Sequence, residues 1–207
     1  MAKASDLVTS IDQLEALYPP VNQNSLTKET DRLLPEYQTL IQASPFVALA
    51  TIGPGGMDCS PRGDRPQVVH VVDDKTLHLP DRRGNNRMDS LRNIVQDPRV
   101  GLLWLTPGLT ECMRVNGQAV LRADQAVRER YDMQGKLPTT VIEITVEAVY
   151  FQCARAVKRA KLWDPSVQVE RTSLPTPGQI MTAITKGEFD GQQYDDELQE
   201  RQAQTMY

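Results

Sequence analysis

The chain has no run approaching the roughly 20 consecutive apolar residues that a membrane helix needs. Its N-terminal stretch, MAKASDLVTSIDQLEALYPP, carries no apolar segment of the signal-peptide kind. A soluble, cytoplasmic protein without a membrane partner is expected. Cysteine is scarce: Cys59, Cys112 and Cys153 are odd in number and far apart, with no C-x-x-C pair to suggest zinc or a redox dithiol. They read as separate reduced thiols. Positive charge is not in excess either. A formal net charge of −4 argues against nucleic acid or an anionic membrane held by bulk electrostatics, so any anion site must be local. The only histidines, His70 and His78, are too few for a typical metal set and read as structural or solvent-facing. No G-x-S-x-G, G-x-x-x-x-G-K-[ST] or G-x-G-x-x-G occurs, which disfavours a nucleophile elbow, a P-loop and a Rossmann fingerprint.

The 207 residues suffice for one sizeable core, and the 40% hydrophobic and 24% charged content is that of an ordinary globular chain. Ser10 and Gln13 are spaced as a capping box, and Leu7, Ile11, Leu14 and Tyr18 recur at helical spacing, which predicts a first helix over 10–18. Pro35 opens a second helix running to about Ser44, with Tyr37, Leu40 and Ile41 on one face. The character then changes. FVALATI, QVVHVVD, TLHLP, RVGLLWLT, ECMRVNGQAVL and TTVIEITVEAVYFQ read as six strands, with GPGGM as a turn between the first two. Helices are expected over MDSLRNIVQ, capped by Asn85 or Asn86, and over ADQAVRERYDMQG, from Asp124 to Gly135. Hairpins rather than crossover helices join several strands, so the fold class is α+β with an antiparallel six-stranded barrel and short flanking helices. One domain is expected: a helical segment at 1–44, the barrel at 45–165, and a linker with an acidic helical arm at 166–207. There is no internal repeat.

The densest signal is PDRRGNNRMDSLRNI, in which Arg82-Arg83-Gly84-Asn85-Asn86-Arg87 sits between a strand and a helix. Everything in it suits a phosphate: glycine permits close backbone approach, the asparagines donate amide hydrogens, arginine offers a planar fork, and the helix presents its positive end. The alternative is a solvated basic turn. Arg62 and Arg65 in CSPRGDRPQVVHVV enter the strand paired with the one leading into that loop, unless Asp64 simply neutralises one of them in an ordinary turn. Arg114 lies mid-strand, where an inward arginine would need a cofactor carbonyl or a carboxylate, and an outward one nothing. In CARAVKRAKLW, Arg155, Arg159 and Trp163 are spaced four apart; Trp163 either covers an aromatic ring or docks its helix, and docking is the simpler reading.

SPRGD at Ser60–Asp64, PDRRGNNR-x-DSLRN at Pro80–Asn93, RVNG-x-A at Arg114–Ala119 and LWDP at Leu162–Pro165 together resemble the pyridoxamine 5′-phosphate oxidase-like split barrels that bind flavin mononucleotide (FMN). The resemblance covers roughly residues 45–165 and points to a less characterised branch rather than to the oxidase itself. It implies that Asn85, Asn86 and Arg87 stand where a serine-arginine-lysine run grips the FMN phosphate, and Pro80 and Asp81 where a tyrosine-threonine pair stands. The strand cradling the flavin from the other side maps to Arg65 through His70, with Val68 and Val69 inside it and Arg62 just upstream. Cys112 replaces a ring-touching glutamine, and the arginine-leucine-histidine segment that holds pyridoxal in the oxidase has no counterpart. The resemblance further implies a homodimer with FMN at the subunit boundary, where Trp163 and the helix before it reach over the flavin. Expected is an FMN-dependent oxidoreductase acting on an unidentified small molecule. The alternatives are a flavin or haem carrier or redox sensor on the same barrel, and a deazaflavin in place of FMN.

Overall fold

The computed structural model describes residues 7–207, so the first six residues of the expected N-terminal segment lie outside the described residues. Three short helices come first. In α1 (Ile11–Glu15) the Gln13 amide donates to Ser10 Oγ at 3.2 Å, and Gln13 Oε1 accepts from Thr9 N at 2.8 Å, so the reciprocal half of the capping box closes one residue early. Ile11, Leu14 and Tyr18 are exposed, so their helical spacing marks no core face of this chain. α2 (Gln23–Thr27), not expected from its polar sequence, starts at the Asn22 cap. α3 (Pro35–Gln42) begins at Pro35 as expected and buries Tyr37 and Ile41.

The strands are β1 (Phe46–Gly53), β2 (Gly56–Gly63), β3 (His70–Val71), β4 (Thr76–Pro80), β5 (Arg99–Trp104), β6 (Cys112–Arg122) and β7 (Val141–Gln152). They form one antiparallel sheet of 7 strands in the order β2-β1-β5-β6-β7-β4-β3. The expectation of six strands is therefore corrected: GMDCSPRG is a strand, folded back on β1 so that Val47 faces Arg62 and Leu49 faces Ser60. β2 is an edge, which is why Pro61 is tolerated there and why no apolar alternation announced it. No pairing joins β2 to β3 among the described residues, so the closure of a barrel is not seen. The expected strand over 67–73 shrinks to His70–Val71, because Val68 N donates to Ser44 O at 3.1 Å rather than to a ladder partner.

Alternate residues of the central strands build the core: Val47 and Leu49, Leu102 and Trp104, Val115 and Ala119, Ile142, Ile144 and Val146 all face one side. Ile41 of α3 and Ile94 of α4 (Asp89–Gln96) cover it. The β6–β7 ladder slips at Asn116/Gly117, where a Cβ on Gly117 would lie 2.1 Å from Thr145 O. Only glycine fits that bulge. α5 (Gln125–Glu129) starts at the expected Asp124 cap but ends short of Gly135. α6 (Arg155–Ala160) is closed by Lys161 in the left-handed region, so Trp163 lies beyond the helix and does not share a face with Arg155 and Arg159. The C-terminal region is helical: α7 (Pro177–Ile184), α8 (Gly191–Asp196) and α9 (Leu198–Gln204). No described helix is long and apolar enough to cross a membrane.

Candidate functional site

β4 delivers the chain into the basic loop, and α4 takes it out again. Neither Asn85 nor Asn86 caps α4. The N-cap is Met88, at φ 59°, and Asn86 has the same φ. A left-handed residue other than glycine costs roughly 1–2 kcal/mol, least for asparagine, and such strain concentrates at functional segments. Asn85 Oδ1 instead accepts from Arg87 N at 3.1 Å, folding the loop on itself. With methionine at the cap, the first turn of α4 has no side-chain acceptor.

The loop faces a cleft of about 870 Å³. Its walls come from β2, the end of β4, the whole loop, the start of α4, the segment 136–139 and Tyr207. Charges here are paired with care. Arg62 Nη1 lies 2.6 Å from Asp81 Oδ1, and Arg87 Nε lies 2.7 Å from Asp89 Oδ2 with its side chain 76% exposed. Arg82 Nε is 2.7 Å from Asp64 Oδ2, and its Nη1 donates to Tyr131 O at 2.6 Å, which ties Arg82 into the scaffold. Asp64 does neutralise an arginine, as the simpler sequence reading had it, but the partner is Arg82. Arg83 has no carboxylate partner among the described residues. Arg62 Nε is buried without any hydrogen-bond partner. An orphaned cationic donor in a cleft wall fits an anionic ligand, since leaving such a group unpaired is costly.

Of the residues singled out in the sequence, Arg62, Val68, Pro80, Asp81, Asn85, Asn86 and Arg87 line this one cleft. Four others do not. Arg65 is exposed, with its amide donating to Asp64 Oδ1 at 2.8 Å, and Val69 is fully buried in the core. Arg114 places its Cζ 5.0 Å from the centre of the Tyr150 ring, and Trp163 Nε1 donates to Leu109 O at 2.6 Å, a docking contact. Unforeseen residues are present too. Buried Ser90 donates to Asp58 Oδ2 at 2.6 Å and lies 3.0 Å from Ser60 Oγ, linking β2 to the start of α4. Ser60 and Ser90 stand inside the motifs SPRGD and DSLRN, which was the available signal. Tyr207 had none.

A polar chain runs from buried His78 and Tyr131 out to the partly exposed Glu143 and Arg122. His78 shares hydrogen bonds with Tyr131 Oη through Nδ1 at 2.8 Å and with Glu143 Oε2 through Nε2 at 2.9 Å, and Arg122 Nη1 donates to the same glutamate oxygen at 2.8 Å. Both His78 nitrogens are engaged, so a metal or haem iron would have to displace either Tyr131 or Glu143 from the ring. The His70 ring lies 4.6 Å from that of Tyr131, tilted by 45°, and burial, followed by the charge of Arg82, holds its pKa below the ordinary histidine value.

A family model described as pyridoxamine 5′-phosphate oxidase matches residues 33–153. No curated protein matches the chain. Among solved structures, HupZ of Group A Streptococcus is 18% identical, with 57% of this chain and 92% of that one covered and a TM-score of 0.47. An FMN-binding protein of Syntrophomonas wolfei is 14% identical, with 69% and 92% covered and a TM-score of 0.43. General stress protein 26 of Bacillus anthracis is 17% identical, with 55% and 88% covered and a TM-score of 0.42. The family match runs from just before α3 to just past β7, so every strand and the basic loop fall inside it, and the chain belongs to the pyridoxamine 5′-phosphate oxidase family.

Proposed function

We propose that the cleft holds FMN and that the protein is an FMN-dependent oxidoreductase acting on a small molecule. The observation that carries this reading is the convergence of Arg62, with its buried unpartnered Nε, the basic loop and the uncapped first turn of α4 on one cleft. A phosphate monoester satisfies all three at once, because it brings charge and several acceptor oxygens to groups that only donate. In this reading Asn85, Asn86, Arg87 and the first turn of α4 hold the phosphate. Arg62 is kept in place by Asp81 through Nη1 and offers Nε. Val68 and Pro80 supply wall along the cofactor, while Arg65 and Val69 support the segment that carries them. When bound, the isoalloxazine supplies the electron transfer, and the protein contributes position and electrostatics.

Arg114 and Trp163 lie outside this cleft, so in the same proposal they serve a homodimer, meeting cofactor or partner across the outer face of the sheet. Exposed Leu103 and Val120 on the central strands support such a contact. The cofactor-binding unit is 45–165, flanked by the helical segment 1–44 and the arm 166–207, and we place the protein in the cytoplasm. The engaged nitrogens of His78 weigh against a haem carrier that uses it as axial ligand. The visible spectrum of the purified protein, with the mass of the released ligand, tests the reading. A flavin double band and the mass of FMN are expected. A Soret band, a longer-tailed deazaflavin, or a colourless protein that takes up no FMN would each overturn it.

A further inference from the structure

Tyr207 belongs to the cleft although nothing around it in sequence marks it. α9 is closed by Thr205, whose Oγ1 donates to Arg201 O at 2.7 Å, and the chain beyond it brings Tyr207 to the cleft wall. The Tyr207 hydroxyl donates to Asp64 Oδ1 at 3.0 Å, and its main-chain oxygen accepts from Lys136 Nζ at 2.6 Å. Asp64 is a fixed anchor: its side chain is 4% exposed, and it also accepts from Arg82 Nε at 2.7 Å and Arg65 N at 2.8 Å. Arg82 opens the basic loop, so the phenol stands one carboxylate away from the loop's first residue, in the wall of the same cleft.

We propose that Tyr207 is a specificity-determining residue that walls off the phosphate end of the cleft, admitting a mononucleotide and refusing a dinucleotide. The proposal rests on the assignment of FMN to the cleft. A ligand that ends at its phosphate needs no space beyond the loop. In FAD the same phosphate continues into a second phosphoryl group and an adenosine. To leave the cleft past the loop's first residue, that extension must displace the phenol from Asp64 and the main chain from Lys136. It also carries a further negative charge toward a carboxylate whose donors are already committed. The hydrogen bond to Asp64 raises the phenol's pKa, so the hydroxyl stays a neutral donor at physiological pH and the contact persists there.

The test is titration of FMN and of FAD into the wild-type protein, Tyr207→Phe and Tyr207→Ala, read by quenching of flavin fluorescence. Wild type is expected to bind FMN at least about tenfold more tightly than FAD. Tyr207→Ala should bring the two within about threefold by strengthening FAD binding, and Tyr207→Phe, which keeps the ring but loses the Asp64 bond, should fall between. A wild-type protein that binds FAD as tightly as FMN, or a preference that survives unchanged in Tyr207→Ala, overturns the proposal while leaving FMN in the cleft. If wild type binds neither flavin, the FMN assignment falls and this inference falls with it. Tyr207 belongs to no buried cluster, so an unchanged thermal midpoint in each variant separates ligand choice from folding.

Discussion

Arg82 Nε and Asp64 Oδ2 lie 2.7 Å apart, with side chains 15% and 4% exposed. That pair sets a buried first residue of the basic loop apart from an exposed last one. Arg82 is spent on Asp64 and on Tyr131 O, whereas Arg87 projects into solvent and donates through Nε to Asp89 alone. Removing one member of a nearly buried pair strands the other, at a cost of roughly 3–5 kcal/mol. Asp64→Ala is therefore expected to lose about that much in urea denaturation, while Arg87→Ala stays within about 0.5 kcal/mol of wild type. Equal stabilities for the two variants would show that the loop is not organised in this way.

His70 gives the fold a pH dependence with a definite sign. Its folded pKa is depressed by burial and then by Arg82, against the opposing pull of Asp64, with His78 adding to the depression. The Tyr131 ring at 4.6 Å and Gln67 Nε2 at 2.8 Å complete its surroundings. Below the unfolded value of about 6.5, the unfolded chain takes up a proton that the folded chain refuses. The stability is present above that pH and is lost as pH falls toward the folded value. Urea midpoints should drop between about pH 7 and about pH 5 in wild type and drop less in His70→Gln. Parallel profiles would assign the loss to other groups.

Gly117 should not tolerate a side chain. A Cβ there meets Thr145 O at 2.1 Å and Thr145 C at 3.1 Å, both backbone atoms of the partner strand. Gly117→Ala is expected to cost about 1–3 kcal/mol, as overpacking does. Gly55→Ala, where a Cβ meets nothing within 4 Å, should be neutral within about 0.5 kcal/mol. Thermal denaturation of the two variants side by side checks the contrast.

What the sequence reveals and what it hides follow from how each feature is encoded. β1, β5, β6 and β7 were legible because they bury alternate apolar residues on one face. β2 was not, because an edge strand built of glycine, serine, proline and charged residues carries no such pattern. Periodicity in α1 reported an apolar face but not what covers it, and Ile11, Leu14 and Tyr18 are exposed. The basic loop stood out by density alone. Its partners did not: Asp81 for Arg62, Asp64 for Arg82 and Tyr207 for Asp64 are matched only in space. Met88 as the cap of α4 was hidden because a left-handed backbone turn, not a capping side chain, makes that helix start.

The most direct test of the phosphate grip is a cycle between Arg87 and the phosphate itself: dissociation constants of FMN and riboflavin for wild type and for Arg87→Ala. A charge-assisted hydrogen bond is worth roughly 1.5–3 kcal/mol, so FMN binding is expected to weaken by about 10- to 150-fold in the variant. Riboflavin, lacking the phosphate, should lose far less. Equal losses for the two ligands, or no loss for either, would contradict the assignment of this loop to the phosphate of FMN.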